Sequence, residues 1–303
     1  MSRILAYSIL DVFAEHPLEG NPLAVFHDAF ALADDEIHAL ARETNLAETT
    51  FIFPGDPDAE RLDGVRVRIF TTEEELPFAG HPTLGTATWL YFNHPTLKGT
   101  ETITLRLNVG PIRVRFDAPH DGLAGVRATM LQNDPIFGAT HECASVAGAL
   151  GLQESELCVE YPPQTVSTGV PFCIVMLQSL EVLQRLQIAQ REAHTWLKRH
   201  DAHFFYCIVP LAEGGEGEPR WHARMQFYGG EDPATGSAAG CCIAWLVKYG
   251  LVASGVSVVI EQGIEIRRPS RITVQATLDG GRVHSVLVSG RTIPVADGRF
   301  FLP

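Results

Sequence analysis

Ala79-Gly80-His81-Pro82-Thr83-Leu84-Gly85, running on to Trp89-Leu90, and Thr235-Gly236-Ser237-Ala238-Ala239-Gly240, running on to Trp245-Leu246, are the stretches that decide the fold. They align at one offset of 156 residues, with Gly80 on Gly236, Trp89 on Trp245 and Leu90 on Leu246. Each follows a β-rich run that contains an Arg and a Phe, Arg68-Ile69-Phe70 in one copy and Arg224-Met225-Gln226-Phe227 in the other. Each then opens a small-residue, apolar segment, and a helix that is apolar on nearly every side has to be enclosed. The pair predicts an internal duplication: an α+β fold of two similar domains, each a barrel-like sheet wrapped around a central helix. A glycine at a strand-to-helix turn is common on its own account, so the repetition carries the meaning. A helix N-terminus presents unpaired N–H groups and a partial positive charge, and two such entrances suit a small anionic ligand such as a carboxylate.

Outward from these stretches, the first half reads as strands at 3–13, 23–27, 49–53, 65–70, 101–107 and 112–116, rich in β-branched and aromatic residues and bounded by turn formers. Two helices interrupt them: Asp34 to Thr44, with Asp34 or Asp35 as cap and Ile37, Leu40 and Ala41 at helical spacing, and a second from Pro82, suited to a first turn. The second half repeats the scheme, with strands at 124–130, 171–176, 204–209, 221–227, 257–260, 271–276 and 282–288 and an enclosed helix from Ser237 to Tyr249. Gly20-Asn21-Pro22 leading into Leu23–Phe26 echoes Gly169-Val170-Pro171 leading into Phe172–Val175. Surface helices are expected at 142–150, stopped by Gly151, and at 180–200. The change of domain falls in Asp117–Gly125, which gives an N-terminal domain of 1–118 plus 293–303 and a C-terminal domain of 119–292. No linker-like segment separates them, so the ligand is expected in the cleft between the halves.

A chain of 303 residues with 46% hydrophobic and 19% charged residues is globular and long enough for two cores. Its 36 acidic against 23 basic residues give a net charge of −13 without a basic run, which argues against nucleic acid or an anionic membrane as partner. The apolar run after Arg3 ends at Asp11, too short for a signal segment, and Gly236 to Val247 is too short to span a bilayer. A soluble, cytoplasmic protein is expected. The six cysteines are scattered without a C-x-x-C or a disulfide framework, as in a reducing compartment. His200 and His203 form an H-x-x-H on which no further ligand converges, so no metal site is assigned.

Glu48 is the acid most suited to chemistry, because Asn45-Leu46-Ala47-Glu48-Thr49-Thr50-Phe51 carries a polar turn into an apolar strand. Partial burial there is expected to raise its pKa towards the range a general acid/base needs, although local backbone N–H groups are an equally ordinary partner. Asp232, in Gly230-Glu231-Asp232-Pro233, reads as a turn-forming cap or as a ligand to an amine or hydroxyl. His81 stands beside a helix N-terminus, which disfavours the imidazolium and predicts a neutral, hydrogen-bonding ring. Glu73, Glu74 and Glu75 read as a solvated acidic loop. Phosphate-loop, dinucleotide and G-x-S-x-G signatures are absent, and Ser237 has no identifiable partner for hydrolase chemistry.

At this point the sequence resembles the phenazine-biosynthesis PhzF family within the diaminopimelate epimerase-like superfamily. The matching motifs run from 17 to 26, 41 to 51, 68 to 71, 75 to 82 and 231 to 240, with Glu261-Gln262-Gly263, Arg268-Pro269-Ser270 and Val288-Ser289-Gly290 completing them. The resemblance implies two similar barrel domains, an active site between them, and a homodimer. It further implies that Glu48 is the acid/base, that His81, Asp232 and Ser237 bind or orient the substrate, and that Asn21 and the backbone at Gly80 and Gly236 complete the pocket. The activity implied is cofactor-independent isomerisation, moving a proton within a small amino or hydroxy carboxylic acid such as trans-2,3-dihydro-3-hydroxyanthranilate. In the epimerase branch two cysteines stand at the helix entrances; here those positions hold Ala79 and Thr235, and Ala47 replaces a frequent Ser before the acid. The alternatives are a racemase or epimerase that pairs Glu48 with a base such as Asp232, and a catalytically idle protein that binds small acids.

Overall fold

The computed structural model describes residues 3–118, 124–211, 219–228 and 230–302. They form two compact units, Met1–Leu131 with Ser289–Pro303, and Gln132–Val288. The first unit contains β1 (Arg3–Val12), β2 (Asn21–Phe26), α1 (Asp34–Thr44), β3 (Thr49–Phe53), α2 (Pro57–Asp63), β4 (Val65–Phe70), β5 (Glu75–Leu76), α3 (Gly80–Asn93), β6 (Thr102–Leu107), β7 (Gly110–Phe116) and β8 (Val126–Leu131). The second contains β9 (Ile136–Thr140), α4 (Cys143–Leu150), β10 (Gln164–Ser167), β11 (Pro171–Met176), α5 (Leu180–Gln184), α6 (Gln190–Leu197), β12 (Phe204–Pro210), β13 (Arg220–Arg224), β14 (Gln226–Phe227), β15 (Gly230–Glu231), α7 (Gly236–Lys248), β16 (Val258–Gln262) and β17 (Ser270–Asp279). The last strand, β18 (Arg282–Leu302), supplies its first part to the second unit and its remainder to the first.

In the first unit eight strands run in the order β1-β2-β3-β4-β6-β7-β8-β18, and β18 returns to β1 in an antiparallel ladder from Arg3↔Leu302 to Val12↔Thr292, closing a barrel. The helix α3 touches β1, β2, β3, β6, β7 and β8, so it threads the ring. Every residue from Gly80 to Thr88 is buried. Small side chains make this possible: a Cβ on Gly85 would lie 2.5 Å from Leu23 Cδ2. Two of the hydroxyls that enter the core are bonded, Thr83 Oγ1 to the Ala79 carbonyl at 2.7 Å and Thr86 Oγ1 to Thr50 Oγ1 at 2.9 Å, which offsets the cost of burying them. Outside the ring α1 lays Ile37, Leu40 and Ala41 on Phe26, Phe51 and Phe70. The hairpin between β1 and β2 turns at Gly20, whose φ of +66° and whose absent Cβ, which would sit 2.3 Å from the Val12 carbonyl oxygen, demand glycine.

The second unit repeats the plan with the path β18-β17-β16-β13-β12-β11-β10-β9 and a wholly buried Gly236–Val247 in α7, which packs on β10, β11 and β17. A separate layer of α4, α5 and α6 buries Val146, Leu150, Leu183 and Trp196 against Cys173, Phe205 and Cys207. The α+β class with barrel-like sheets around central helices is therefore the observed fold. No helix among the described residues is long and apolar enough to cross a membrane.

Several local expectations are revised. The expected helix from 180 to 200 is two, because the Arg224 guanidinium takes the carbonyls of Leu183, Gln184 and Leu186 at 2.8–2.9 Å and ends α5. The cap of α1 is Ala33, whose N–H donates to the Glu36 carboxylate at 3.0 Å, in place of Asp34 or Asp35. The buried helices open at Gly80 and Gly236, ahead of Pro82 and Ser237. The expected change-over at 118/119 adjoins 119–123, which lie outside the described residues. Pairing of β8 with β7 through Val114↔Met130 and Phe116↔Ala128 keeps that strand in the first unit. The chain re-enters the first unit at Ser289, whose hydroxyl bonds Thr129 Oγ1 at 2.8 Å.

Candidate active site

Glu48 follows a sharp stop. Asn45 ends α1 in the left-handed region at φ +51°, the conformation in which Asn is tolerated. Four residues later the chain enters β3, a strand buried from Thr49 to Ile52. This places the Glu48 side chain at 18% exposure with Oε2 3.6 Å from Nε2 of His81, itself 4% exposed. His81 is the second residue of α3, so the orientation of a buried helix sets its ring. On the other side of the ring, Asn21, at the start of β2 and fully buried, brings Nδ2 to 3.2 Å from His81 Nδ1. An amide nitrogen only donates, so Nδ1 is the acceptor and the ring proton is assigned to Nε2. Burial lowers the His81 pKa to about 3, hence the ring is neutral and presents an N–H towards the carboxylate. Nε2 makes no hydrogen bond among the described residues.

The N-terminus of α3 adds to this. Ala79, the N-cap, has no side-chain acceptor, and Gly80 and His81 are buried. A buried, uncapped helix start is the situation in which an anion replaces the missing acceptor.

In the second unit, Asp232, Gly236 and Ser237 lie together around the start of α7, each at most 7% exposed where its side chain is polar. Asp232 Oδ2 accepts from the Thr235 hydroxyl at 2.6 Å, and Asp232 N–H donates to the Met225 carbonyl at 2.9 Å. The Gly236 carbonyl accepts from Gln132 Nε2 at 3.0 Å, anchoring the first turn. Ser237 makes no side-chain hydrogen bond among the described residues, and α7, like α3, lacks a side-chain cap. The structure thus groups Glu48, His81, Asn21 and Gly80 in one unit and Asp232, Gly236 and Ser237 in the other.

Sequence reasoning missed what aims these helix starts. Arg68, at the end of β4, holds Glu75 with two parallel bonds, Nε–Oε1 2.8 Å and Nη2–Oε2 2.7 Å. Arg224, at the end of β13, holds Glu231 with Nε–Oε1 2.9 Å and Nη2–Oε2 2.6 Å. Each fork closes the hairpin that delivers the chain to its buried helix. The Arg68 bonds hold the Glu75 pKa below its ordinary value, so Glu75 is not part of a solvated acidic run, although Glu73 and Glu74 are exposed. The signal was present: at the offset that aligns the glycines, Arg68 falls on Arg224 and Glu75 on Glu231.

No cysteine stands at either helix start. Cys241 and Cys242 lie inside α7, and burial pushes Cys241 up to about 11 and Cys207 up to about 12, which keeps them as thiols.

A family profile described as phenazine biosynthesis-like protein matches residues 10–298. The trans-2,3-dihydro-3-hydroxyanthranilate isomerase of Pseudomonas aeruginosa is 36% identical over 98% of this chain and 99% of its own. An uncharacterized isomerase of Mesorhizobium japonicum is 34% identical over 98% of both chains. A solved structure from Pseudomonas aeruginosa, named a predicted epimerase, is 37% identical with a TM-score of 0.81 and covers 98% of this chain and 99% of its own. Matched nearly end to end and carrying the barrel-and-helix architecture in each unit, the chain belongs to the phenazine biosynthesis-like PhzF family and is an isomerase.

Proposed function

We propose that the protein moves a proton within a small carboxylic acid, without a cofactor, and that Glu48 is the group that carries it. The observation that supports this most directly is the buried His81 ring, whose Nε2 stands 3.6 Å from Glu48 Oε2 at an uncapped, buried helix start. In its ionised form Glu48 takes an acidic C–H proton and becomes the carboxylic acid, leaving the electron pair delocalised over the substrate's conjugated system. The same carboxyl then returns the proton at a different carbon and is ionised again. The His81 Nε2–H and the N–H groups of Gly80 and His81 stabilise the negative charge that develops between the two steps. Asp232, Gly236 and Ser237 are assigned to substrate recognition in the same reaction. The name of the Pseudomonas aeruginosa relative favours trans-2,3-dihydro-3-hydroxyanthranilate, or an amino or hydroxy acid like it, as substrate.

Incubation in D₂O with that compound and related small amino and hydroxy acids, followed by NMR, tests the proposal. Deuterium at a new carbon supports proton relocation. Deuterium only at the original stereocentre replaces it with epimerisation, and saturable binding without exchange leaves a binding protein. We further propose a cytoplasmic homodimer, for which light scattering at twice the mass of the 33.2 kDa chain is the expected result.

A further inference from the structure

Gln262 is fully buried at the end of β16 and uses its amide in four directions. Nε2 donates to the Asp232 carbonyl at 2.7 Å and to Thr235 Oγ1 at 2.9 Å. Oε1 accepts from the Thr235 backbone N–H at 3.2 Å and from the Tyr206 hydroxyl at 3.1 Å. Two of these partners have only one possible role, since a carbonyl only accepts and a backbone N–H only donates. The amide orientation therefore follows from the network. Because Nε2 donates to Thr235 Oγ1, the Thr235 proton points elsewhere, and its acceptor is Asp232 Oδ2 at 2.6 Å. The side-chain donors run one way, from Tyr206 and Gln262 through the Thr235 hydroxyl to Asp232, while the Thr235 backbone N–H anchors the amide from the other side.

We propose that Gln262 and Thr235 are positioning residues that act through Asp232: they fix its carboxylate in place and keep Oδ2 an acceptor, so that Asp232 meets its ligand in one orientation and one hydrogen-bonding state. A protonated Oδ2 would donate to Thr235 Oγ1 in place of accepting from it, and the Thr235 proton would have to turn away from Asp232. Simple packing does not require this directionality. Tyr206, buried beside the amide, closes the far end. The inference rests on the assignment of Asp232 to substrate recognition.

Two readouts test it. The Asp232 carboxyl carbon, observed by ¹³C NMR and assigned by its loss in Asp232→Asn, is expected to shift in Thr235→Val and in Gln262→Glu. The second change keeps the shape of the side chain but offers the Thr235 proton a competing carboxylate. In Thr235→Ser the signal is expected to stay in place. For the exchange reaction in D₂O, Thr235→Val and Gln262→Glu should each lower kcat/KM by about 10- to 100-fold, the usual cost of losing a bond to a charged group. Thr235→Ser should restore most of it, and Thr235→Val should cost nothing more once Asp232→Asn is present. An unmoved carboxyl signal, or losses that add in the double variant, overturns the inference. Wild-type protein that exchanges no proton removes the proposed function instead, and the carboxyl signal then decides the relay alone.

Discussion

The two Arg–Glu forks have the same residues, the same spacing and the same bidentate geometry, but they differ in burial, and this separates burial from hydrogen bonding in one molecule. The Arg224 and Glu231 side chains are 7% and 8% exposed, whereas those of Arg68 and Glu75 are 19% and 25% exposed. Replacing Arg224 by Met keeps most of the aliphatic stem and removes the charge. Glu231 is then left as a nearly dry carboxylate with no cation beside it and the Gln226 amide at 3.2 Å in place of the guanidinium, which costs about 3–5 kcal/mol. Three carbonyls at the end of α5 also lose their shared donor, which places the expected loss at the upper end. Replacing Arg68 by Met leaves Glu75 with water on one side and the Asn108 amide at 2.7 Å, so about 1–2 kcal/mol is expected. The third partner of Arg68, Asp34, is 74% exposed and adds little. Hydrogen-exchange mass spectrometry on peptides covering 180–190 and 225–237, against 70–82, reads each loss locally and avoids assuming a single unfolding transition for a chain of two units. A second change sharpens the test. Pairing Arg224→Met with Glu231→Leu removes the stranded charge, so the double variant should be more protected than Arg224→Met alone. Equal losses at the two forks, or a double variant worse than the single one, would refute the reasoning that burial sets the difference.

Three further outcomes are expected. Glu48→Gln, folded as wild type by circular dichroism, should lose at least about 10²-fold in exchange rate, since one carboxyl is asked to take and return the proton. His81 has its folded pKa depressed to about 3 against an unfolded value near 6.5. Between those values the unfolded chain binds the extra proton, so this ring lowers stability as pH falls from about 6.5 towards 3, by about 1 kcal/mol per unit; His81→Gln should flatten that part of the urea-midpoint profile. Gly263→Ala should cost about 1–3 kcal/mol in urea denaturation and weaken binding, because φ is +77° and the new Cβ would meet the Arg268 carbonyl oxygen at 2.3 Å and that of Pro233, next to Asp232, at 2.7 Å.

What was legible in the sequence is what local chemistry decides. The bounds of α1, β3 and β4 follow from periodicity and turn residues alone, and they stand where that pattern put them. The buried helices were legible because small and apolar residues occupy all their sides. The break at 185–189 was not, because nothing in those residues stops a helix; a guanidinium 40 residues further along the chain does so. The edge strand β9, mostly exposed and carrying Gly138, lacks the apolar alternation that marks a strand. Among the candidate residues, Glu48 and His81 at a turn and a helix start, and Asp232 ahead of the second helix, could be proposed from type and position. Gln262 could not, because a buried glutamine has no pattern of its own: its role is set by Thr235 and Asp232, about 30 residues away in the chain.

The duplication also bears on the proposal that one group takes and returns the proton. A two-base reaction with equivalent acids needs equivalent residues at the two caps, and the caps are Ala79 and Thr235. Alanine offers no proton, and the Thr235 proton is committed to Asp232. Two residues inward, past the shared glycines, the copies differ again, with an imidazole at His81 and a hydroxyl at Ser237. Glu48 has no acidic counterpart, because the same offset lands on Phe204. What the copies share is a buried and uncapped helix start behind an Arg–Glu fork; what they do not share is Glu48 or His81. That asymmetry supports the proposed reaction, in which a proton leaves and returns through the single carboxyl of Glu48.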